Sequence, residues 1–405
     1  MLSRDRIQPR NAMPDGMLSA ASATDVGVCE RAWVEIDRAA LSWNVRQLKQ
    51  LLAPQTTLLA VVKADAYGHG AVAVAQTVLQ CGASWLGVAT IPEGIELRQA
   101  GIQAPILLLG ATNAPEQLRA IAHWQLQPTL CTPKQALVFA ETLKALPGNR
   151  PLPVHLKLDT GMSRLGTPWQ QAVEFVQLVE QLPELQLASI YSHCATADDP
   201  DPTVLQQQQE RFRTAIAKLQ TAGIALPKLH LANSAATLTD AALHYDLVRI
   251  GLAIYGIYPA PHLKKTVALK PVLSVKARIT QVKTIQPGTG VSYGHQFVAD
   301  RQLRLAVVGI GYADGVPRNL SNRMTVLVRG QPVQQIGAIT MDQLMLDIST
   351  VPDLQPGAVV TLLGQDGTQS ISTDDWANQL QTISWEILCG FKHRLPRVAI
   401  GSGIS

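Results

Sequence analysis

Between residues 58 and 250 the chain repeats one pattern, a short apolar segment followed by a longer segment of helical spacing. The apolar segments are too short for helices, and glycine, proline or polar residues bound them. Strands that alternate with helices predict a parallel sheet, and eight such strands close most economically into a (β/α)8 TIM-type barrel. The eight predicted strands are Leu58–Val62, Trp85–Ala89, Pro105–Leu109, Gln127–Cys131, Val154–Asp159, Leu187–His193, Lys228–Ala232 and Leu247–Ile250.

The pattern changes after Tyr258-Pro259-Ala260-Pro261. Short alternating segments separated by Gly and Pro follow, which is typical of an all-β region, and one helical segment interrupts them at Thr373–Leu380. We therefore predict a barrel over residues 30–264 and a mainly-β domain over residues 265–400. Residues 1–29 lack the apolar run of a secretion signal, so we expect a flexible N-terminal extension or a true start at Met13 or Met17.

Composition narrows the function classes. Hydrophobic residues make up 47% of the chain and charged residues 16%, which indicates a buried core. The net charge of +4 comes without a basic cluster, which argues against a nucleic-acid partner. Five scattered cysteines without a Cys-x-x-Cys pair predict free thiols in a reducing compartment and no metal site. No apolar run reaches transmembrane length, so we expect a cytoplasmic protein without a membrane partner.

One lysine stands at the end of the first predicted strand. Lys63 follows Leu58–Val62 directly and precedes a glycine-rich turn at Gly68-His69-Gly70. A side chain there points into the space beyond the carboxyl end of a dry strand. Desolvation lowers the pKa of an amine, and a neutral amine can form a Schiff base with an aldehyde. A surface lysine on an ordinary strand-to-helix turn is the alternative.

The fifth and sixth predicted strands carry polar residues at every second position. On the fifth, His155, Lys157 and Asp159 share one face, while the apolar residues between them share the other. The apolar face suits the helix layer, so the polar face is predicted to line the barrel interior. Ionisable groups are expensive to bury there, which marks a functional mouth, although a solvated edge strand is the alternative. The sixth strand repeats the pattern with Ser189, Tyr191 and His193.

Two segments late in the predicted barrel have the features of an anion-binding site. Ala232-Asn233-Ser234-Ala235-Ala236 follows the seventh predicted strand, and Arg249-Ile250-Gly251-Leu252 lies at the eighth. Barrels of this kind frequently bind phosphate with the loops after their last two strands, where small residues let backbone N–H groups approach. An ordinary helix N-cap at Asn233 is the alternative. Without a P-loop or a Gly-x-Gly-x-x-Gly motif, a nucleotide cofactor lacks support.

The segment Ala60–Gly70, AVVKADAYGHG, is similar, nearly letter for letter, to the pyridoxal-phosphate lysine motif of alanine racemases. Further motifs occur in the same order as in that family, and they extend through both predicted domains. They are HLKLDTGMSRLG at residues 155–166, VSYG at 291–294, GIGYADG at 309–315 and MDQ at 341–343. From about residue 31 to 398 the chain therefore resembles the alanine racemase family.

The resemblance implies a pyridoxal 5'-phosphate enzyme that interconverts L- and D-alanine and supplies D-alanine for cell-wall peptidoglycan. Lys63 would bind the cofactor and act as the base on one face of the substrate, and Tyr293 as the base on the other. Lys157 would match a lysine that many relatives carry as a carbamate. The implied cofactor contacts are Lys63, Tyr67, Arg164, His193, Asn233, Ser234, Arg249, Gly251 and Leu252. The implied substrate contacts are Arg164, Met341, Asp342 and Tyr312.

The resemblance also implies a head-to-tail homodimer, in which Tyr293 and Met341 serve the barrel of the partner subunit. One position departs from the family pattern. Many members carry Tyr directly before the Arg394-Leu395-Pro396-Arg397 segment, where this chain has His393. Either His393 donates the same hydrogen bond to the cofactor phosphate, or that contact is lost and selectivity for alanine loosens.

Three other functions stay open at this point. A broader racemase, acting for example on serine, shares the chemistry. Amino-acid decarboxylases built from a barrel and a β domain share the cofactor and architecture, but they lack the segment around Tyr293. A small pyridoxal-phosphate-binding homeostasis protein resembles the barrel alone, and residues 265–400 argue against it.

Overall fold

The computed structural model describes residues 31–146 and 150–401, so the predicted extension over residues 1–29 lies outside the described part. The strands, numbered along the chain, are β1 Ala32–Asp37, β2 Thr57–Val61, β3 Trp85–Val88, β4 Ile106–Ala111, β5 Gln127–Leu130, β6 Leu152–Asp159, β7 Thr167–Pro168, β8 Leu185–Tyr191, β9 Lys228–His230, β10 Leu247–Ile250, β11 Leu273–Ile285, β12 Gly290–Val291, β13 Phe297–Val298, β14 Leu303–Val308, β15 Thr325–Val328, β16 Gln331–Ile336, β17 Leu344–Asp347, β18 Val359–Asp366, β19 Gln369–Ile371 and β20 Arg397–Ile400. The helices are α1 Arg38–Gln50, α2 Lys63–Gly68, α3 Ala71–Gln80, α4 Ile91–Gln99, α5 Pro115–His123, α6 Pro133–Lys144, α7 Ala172–Glu180, α8 Thr203–Thr221, α9 Ser234–Thr239, α10 Thr373–Leu380 and α11 Ser384–Gly390.

Eight parallel strands form the first sheet, in the order β10-β2-β3-β4-β5-β6-β8-β9. The two ends of this order meet, because the Asp246 amide donates to the Leu229 carbonyl and the Arg249 amide to the Ala232 carbonyl, each at 3.0 Å. All eight predicted strands are present, with ends shifted by at most two residues. The predicted (β/α)8 barrel is confirmed.

The helices of the barrel follow the predicted spacing. In α8, for example, the buried residues include Leu205, Phe212, Ile216 and Leu219, which recur at helical intervals along one face. Burying that stripe stabilises the fold, because each large apolar side chain removed from water contributes about 1.5–3 kcal/mol. The carboxyl ends of the parallel strands then share one edge of the barrel, where β2 ends two residues before Lys63.

The second sheet is mostly antiparallel and contains the short alternating segments predicted after residue 265. Strand β11 pairs with both β14 and β18, so β11, β14, β17, β16, β15 and β18 close into a ring. Strand β1 was predicted to belong with the barrel, within residues 30–264. It pairs instead with β11 and β20 of the second sheet. Buried and partly buried residues alternate along β1, which suits a strand with one covered face, whereas the strands of a parallel barrel are buried on both faces.

Two helices occur late in the chain where one was predicted. Helix α10 has the predicted bounds, and α11 follows it after a short turn. The sequence hid α11 because its seven residues are too few to establish a helical period. In residues 31–146 and 150–401, no helix combines the length and the apolar character that a membrane span requires.

Candidate active site

The backbone after Lys63 forms one turn of left-handed helix. Ala64, Asp65, Ala66 and Tyr67 all have φ between 52° and 54°. For residues with a side chain this conformation costs about 1–2 kcal/mol each. The glycine-rich turn that the sequence predicts begins at Gly68, directly after these four residues. Four consecutive residues in this conformation persist only if the surrounding structure holds them.

Two carboxylates hold the beginning and the middle of the left-handed turn. The Glu93 carboxylate accepts from the Ala64 amide at 2.8 Å and, with its second oxygen, from the Ala89 amide at 2.7 Å. The Asp65 carboxylate accepts from the Ala71 amide at 2.7 Å, at the start of α3. The turn is therefore fixed to the loop after β3 and to the next helix.

A segment from the far end of the chain holds the end of the same turn. The Arg397 guanidinium donates to the Gly68 carbonyl at 3.1 Å and to the Phe391 carbonyl at 2.6 Å. It also lies 3.9 Å from the Asp65 carboxylate. A Cβ at Gly68 would lie 2.6 Å from the Leu388 carbonyl oxygen, so glycine is needed for this close approach. We call residues 388–397 the C-terminal clamp.

Lys63 is half-buried, and its environment favours the neutral amine. Burial lowers its pKa, and the positive charge of Arg164 lowers it further. The nearby Glu93 and Cys389 act in the opposite direction. A lysine whose pKa is lowered in this way is suited to bond an aldehyde and to exchange a proton near neutral pH.

Beside Lys63, the loops after β9 and β10 form a cradle of small residues. The Ser234 hydroxyl accepts from the Gly251 amide at 3.0 Å. A Cβ at Gly251 would lie 2.6 Å from the Tyr67 hydroxyl, so only glycine leaves that hydroxyl in place. Leu252 begins a short 3-10 helix at the same point. The cradle brings together hydroxyl and amide donors, as an anion requires.

Asn233 has a structural task in this cradle. Its side-chain oxygen accepts from the Ala236 amide at 2.9 Å, and its side-chain nitrogen donates to the Cys194 carbonyl at 3.3 Å. It is thus the N-cap of α9, the alternative that the sequence left open. Its predicted contact with a cofactor stays a prediction.

Arg249 is almost completely buried in the floor of the pocket. One guanidinium nitrogen, Nη2, donates to the Ser192 and Leu231 carbonyls at 2.7 and 3.0 Å and lies 3.2 Å from His193 Nδ1. The other, Nη1, lies 2.9 Å from His230 Nδ1. Among the described residues, the Nε–H has no hydrogen-bond partner, so a donor is left for an acceptor in the pocket.

Tyr191 is the centre of the polar barrel interior that the fifth and sixth strands predict. The guanidinium of Arg249 and the amine of Lys157 lie 5.1 and 5.4 Å from its ring centre. The His230 ring stacks on it with centres 4.6 Å apart. The prediction that His155, Lys157, Ser189, Tyr191 and His193 face inward is confirmed. Asp159 differs, because its carboxylate accepts from the Gly161 and Ser163 amides in the following turn.

Positive charge dominates the pocket. Burial and the charges of Arg249, Lys157, Arg164 and Lys63, in that order, hold the pKa of His193 well below its ordinary value. Lys157 is buried, and burial followed by Arg249 lowers its pKa to about 8. In the described residues, no group of His, Cys, Asp and Glu is arranged to hold a metal ion. The pocket therefore suits an anionic ligand.

The predicted residues of the second domain lie together on an exposed surface. Tyr293 is 72% exposed, Met341 53% and Tyr312 43%. The Tyr312 amide donates to the Thr340 carbonyl at 2.9 Å, which joins the two loops. Across residues 31–146 and 150–401, no hydrogen bond, ion pair or ring contact links Tyr293 to the barrel. The structure thus groups the predicted residues into two sets, one around Lys63 and one around Tyr293.

An ion cluster around the buried Asp314 supports the second set. The Asp314 carboxylate pairs with Arg31 at 2.6 Å, and one of its oxygens accepts from the Gly311 amide at 2.9 Å. Asp342, a predicted substrate contact, accepts from Arg394 at 2.5 Å. These bonds fix the loop that carries Tyr312, and they tie the loop to the C-terminal clamp.

Sequence reasoning missed Glu93, Arg397 and Cys389. Glu93 stands three residues after Thr90, which is the spacing of a helix capping box, so its local role was readable. Its bond to Ala64 could not be predicted from the sequence, because it joins residues 29 positions apart. Arg397 belongs to a quoted motif, but only the fold brings it to the turn after Lys63.

Comparison with known proteins gives the same family throughout. The family model "Alanine racemase, N-terminal domain" matches residues 36–259, and "Alanine racemase, C-terminal domain" matches residues 272–399. The alanine racemase of Nostoc sp. is 70% identical over 92% of this chain and 96% of its own length. That of Synechocystis sp. is 67% identical over 92% and 99%.

Solved structures agree with the curated relatives. An alanine racemase from Bacillus anthracis, described with bound L-Ala-P, superimposes with a TM-score of 0.86 at 34% identity, covering 93% of this chain and 96% of its own. One from E. faecalis has a TM-score of 0.87 at 35% identity, covering 92% and 99%. The matches extend through both domains, which separates the chain from a barrel-only protein. The chain therefore belongs to the alanine racemase family of enzymes.

Proposed function

We propose that this protein is an alanine racemase that interconverts L- and D-alanine with pyridoxal 5'-phosphate bound at Lys63. The observation that carries the proposal is the environment of Lys63. It is a lysine with a lowered pKa at the end of a barrel strand, beside an anion cradle, in a chain 70% identical to a relative named alanine racemase. The Bacillus anthracis relative is described with bound L-Ala-P, which supports alanine as the substrate.

The residues present fit the cofactor. Tyr67, Ser234, Gly251 and Leu252 would hold its phosphate in the cradle, which a Cβ at Gly251 would fill. The free Nε–H of Arg249 would face the pyridine nitrogen, and His193 would flank the ring. When bound, pyridoxal 5'-phosphate withdraws electrons from the substrate α-carbon and so makes its proton acidic.

Two bases would move the proton. Inversion requires that a proton leaves one face of the α-carbon and that another arrives on the opposite face. Lys63 serves one face, and its lowered pKa lets the amine accept a proton near neutral pH. Tyr293 serves the other. Arg164 and the loop with Met341, Asp342 and Tyr312 would position the substrate carboxylate.

The exposed position of Tyr293 supports a head-to-tail homodimer. Tyr293 is 72% exposed and, within residues 31–146 and 150–401, makes no hydrogen bond or ion pair to its own barrel, so it is poorly placed to act on its own Lys63. In a C2 dimer the second domain of each chain would cover the barrel mouth of the other, with two shared sites. The product, D-alanine, would serve peptidoglycan synthesis in the cytoplasm.

The proposal is tested by polarimetry with L-alanine, D-alanine and both serine enantiomers, with and without added cofactor. We expect racemisation of both alanine enantiomers and much slower turnover of serine. Lys63→Ala should abolish turnover and borohydride-reducible cofactor binding, whereas Lys134→Ala, an exposed lysine on α6, should change neither. Turnover that persists in Lys63→Ala, or carbon dioxide release from the wild type, would overturn the proposal.

A further inference from the structure

A row of polar side chains crosses the barrel core from the active site to its opposite end. Arg249 Nη1 lies 2.9 Å from His230 Nδ1, and His230 Nε2 lies 2.8 Å from Ser189 Oγ. Ser189 Oγ lies 2.6 Å from His155 Nδ1, and His155 Nε2 lies 2.8 Å from Gln127 Oε1. Four hydrogen bonds thus connect a residue of the proposed cofactor site with the amino end of β5.

The row has one polarity, which Arg249 determines. A guanidinium can only donate, so His230 Nδ1 must be the acceptor, and a neutral His230 carries its proton on Nε2. That proton is donated to Ser189, whose own hydrogen is then donated to His155 Nδ1. His155 in turn carries its proton on Nε2 and donates it to the Gln127 carbonyl oxygen. Every proton in the row points away from the active site.

Burial keeps both histidines of the row in the neutral protonation state. His155, Ser189 and His230 are each 1% exposed. Burial lowers the pKa of His155 to about 3, and burial with the charge of Arg249 holds the pKa of His230 well below its ordinary value. Both rings are therefore neutral at working pH. A neutral imidazole with one proton has only two arrangements, and a donor or an acceptor at one end selects between them.

We propose that Gln127, His155 and Ser189 are positioning residues that act through His230 on Arg249, by holding His230 as a hydrogen-bond acceptor. The role toward the cofactor rests on the proposed function, in which Arg249 faces the pyridine nitrogen. With His230 as an acceptor, Arg249 keeps its guanidinium plane anchored at Nη1 as well as at Nη2. A reversed row would place a ring N–H against the guanidinium N–H, and the two donors would repel each other.

Gln127 is the position at which the polarity can be changed without touching the active site. It is half-buried and lines a cleft of about 810 Å³ at the amino end of the barrel, so a longer or charged side chain there can reach water. Gln127→Glu offers only acceptors to His155 and preserves the polarity. Gln127→Lys offers only donors, which forces the His155 proton onto Nδ1 and reverses the row.

The first measurement is the tautomer of His155 and His230, read from the imidazole nitrogen chemical shifts of protein labelled with 15N-histidine. It is made on the protein both with and without pyridoxal 5'-phosphate, so it does not depend on turnover. We expect Nε2–H in both rings of the wild type and of Gln127→Glu, and Nδ1–H in both rings of Gln127→Lys. Gln125→Lys, an exposed residue of the same cleft, is the matched control.

The second measurement is racemisation. Gln127→Lys should lower kcat about tenfold relative to Gln125→Lys, because the bond that anchors a charged group is lost. In a Ser189→Ala background, Gln127→Lys should change kcat little further, since the row is already interrupted. An unchanged His230 tautomer in Gln127→Lys, or full additivity with Ser189→Ala, would overturn the inference. A wild type with the expected tautomers that does not racemise alanine would instead refute the proposed function alone.

Discussion

Lys63 and Lys157 lie in the same electropositive pocket, and burial is the largest cause of the lowered pKa of each. Lys63 has Glu93 nearby as a compensating charge. Lys157 has no hydrogen bond or ion pair in the described part of the chain, and its main contact is the face of Tyr191. A buried, unpaired ammonium is costly, which favours a neutral amine or a modified one.

The first prediction concerns Lys157 as a carbamate. Only the neutral amine attacks carbon dioxide, and with a pKa of about 8 the neutral fraction rises from pH 6 to pH 9. The product is an anion, which would pair with Arg164 and neutralise the charge of the pocket. Enzyme stripped of bicarbonate should lose activity and regain it on bicarbonate addition, faster at pH 8.5 than at pH 6.5. Lys157→Met should not respond to bicarbonate. If the intact mass of the active enzyme contains no carbon dioxide adduct, the idea is contradicted.

A second prediction at this scale concerns His393, which replaces the tyrosine of many relatives. Its side chain is exposed, and its charge opposes the rise in the pKa of Glu96 that burial and Asp65 cause. His393→Tyr should restore a hydrogen bond to the cofactor phosphate and tighten pyridoxal 5'-phosphate binding about threefold to tenfold. Cofactor titration of the apoprotein measures this. Equal affinities would mean that His393 already donates the bond.

Alternation along a strand is what made the individual residues predictable. It placed His155, Lys157, Ser189 and Tyr191 in the barrel interior, because side chains two apart must share a face. Alternation could not distinguish residues that bind a ligand from residues that hydrogen-bond to other residues of the protein. Asn233 and Asp159 show the difference, since both are engaged in local turns. Hydrogen-bond partners depend on distances between strands, which spacing along the chain does not give.

At the scale of elements, the left-handed turn after Lys63 is the feature that sequence could not predict. Ala and Tyr have no preference for positive φ, and four such residues cost about 4–8 kcal/mol. That is comparable with the whole net stability of a typical domain, about 5–15 kcal/mol. Contacts from Glu93, Asp65 and the C-terminal clamp must offset it. Asp65 belongs to the turn itself, but Glu93 and the C-terminal clamp come from two separate segments, which only the fold brings to it.

The third prediction tests the C-terminal clamp. Arg397→Ala removes the donor to the Gly68 and Phe391 carbonyls and should destabilise the protein by about 3 kcal/mol. Hydrogen exchange of the amides of residues 64–70 should quicken, and cofactor affinity should fall. Lys392→Ala, an exposed neighbour, is the control. Unchanged exchange at residues 64–70 would show that Arg397 does not hold the turn.

At the scale of the whole molecule, the proposed mechanism requires both sets of predicted site residues. The barrel would supply Lys63, Arg249 and the anion cradle, while the second domain would supply Tyr293 and Met341 from an exposed face. The sequence predicted both domains because the period of the apolar pattern changes near residue 260. It misplaced β1, because a strand of alternating burial near the start of the chain pairs with partners more than 200 residues away.

The fourth prediction tests the shared site. Lys63→Ala and Tyr293→Phe should each inactivate the enzyme. In a mixed dimer, one site combines both changes and the other combines both native residues. Unfolding and refolding the two chains together should therefore yield heterodimers with about half of the wild-type activity per dimer. If both bases belong to one chain, no mixture regains activity.

The C-terminal clamp has a consequence for the order in which the protein is made. Synthesis proceeds from the amino end, yet Gly68 receives its bond from Arg397, which is 329 positions later. The turn after Lys63 therefore lacks this bond until residue 397 has been made and has folded back onto the barrel. A nascent chain released before that point would have its barrel strands without the contacts of the C-terminal clamp. In the proposed enzyme, pyridoxal 5'-phosphate would then meet a fully held lysine turn only after the second domain has been translated.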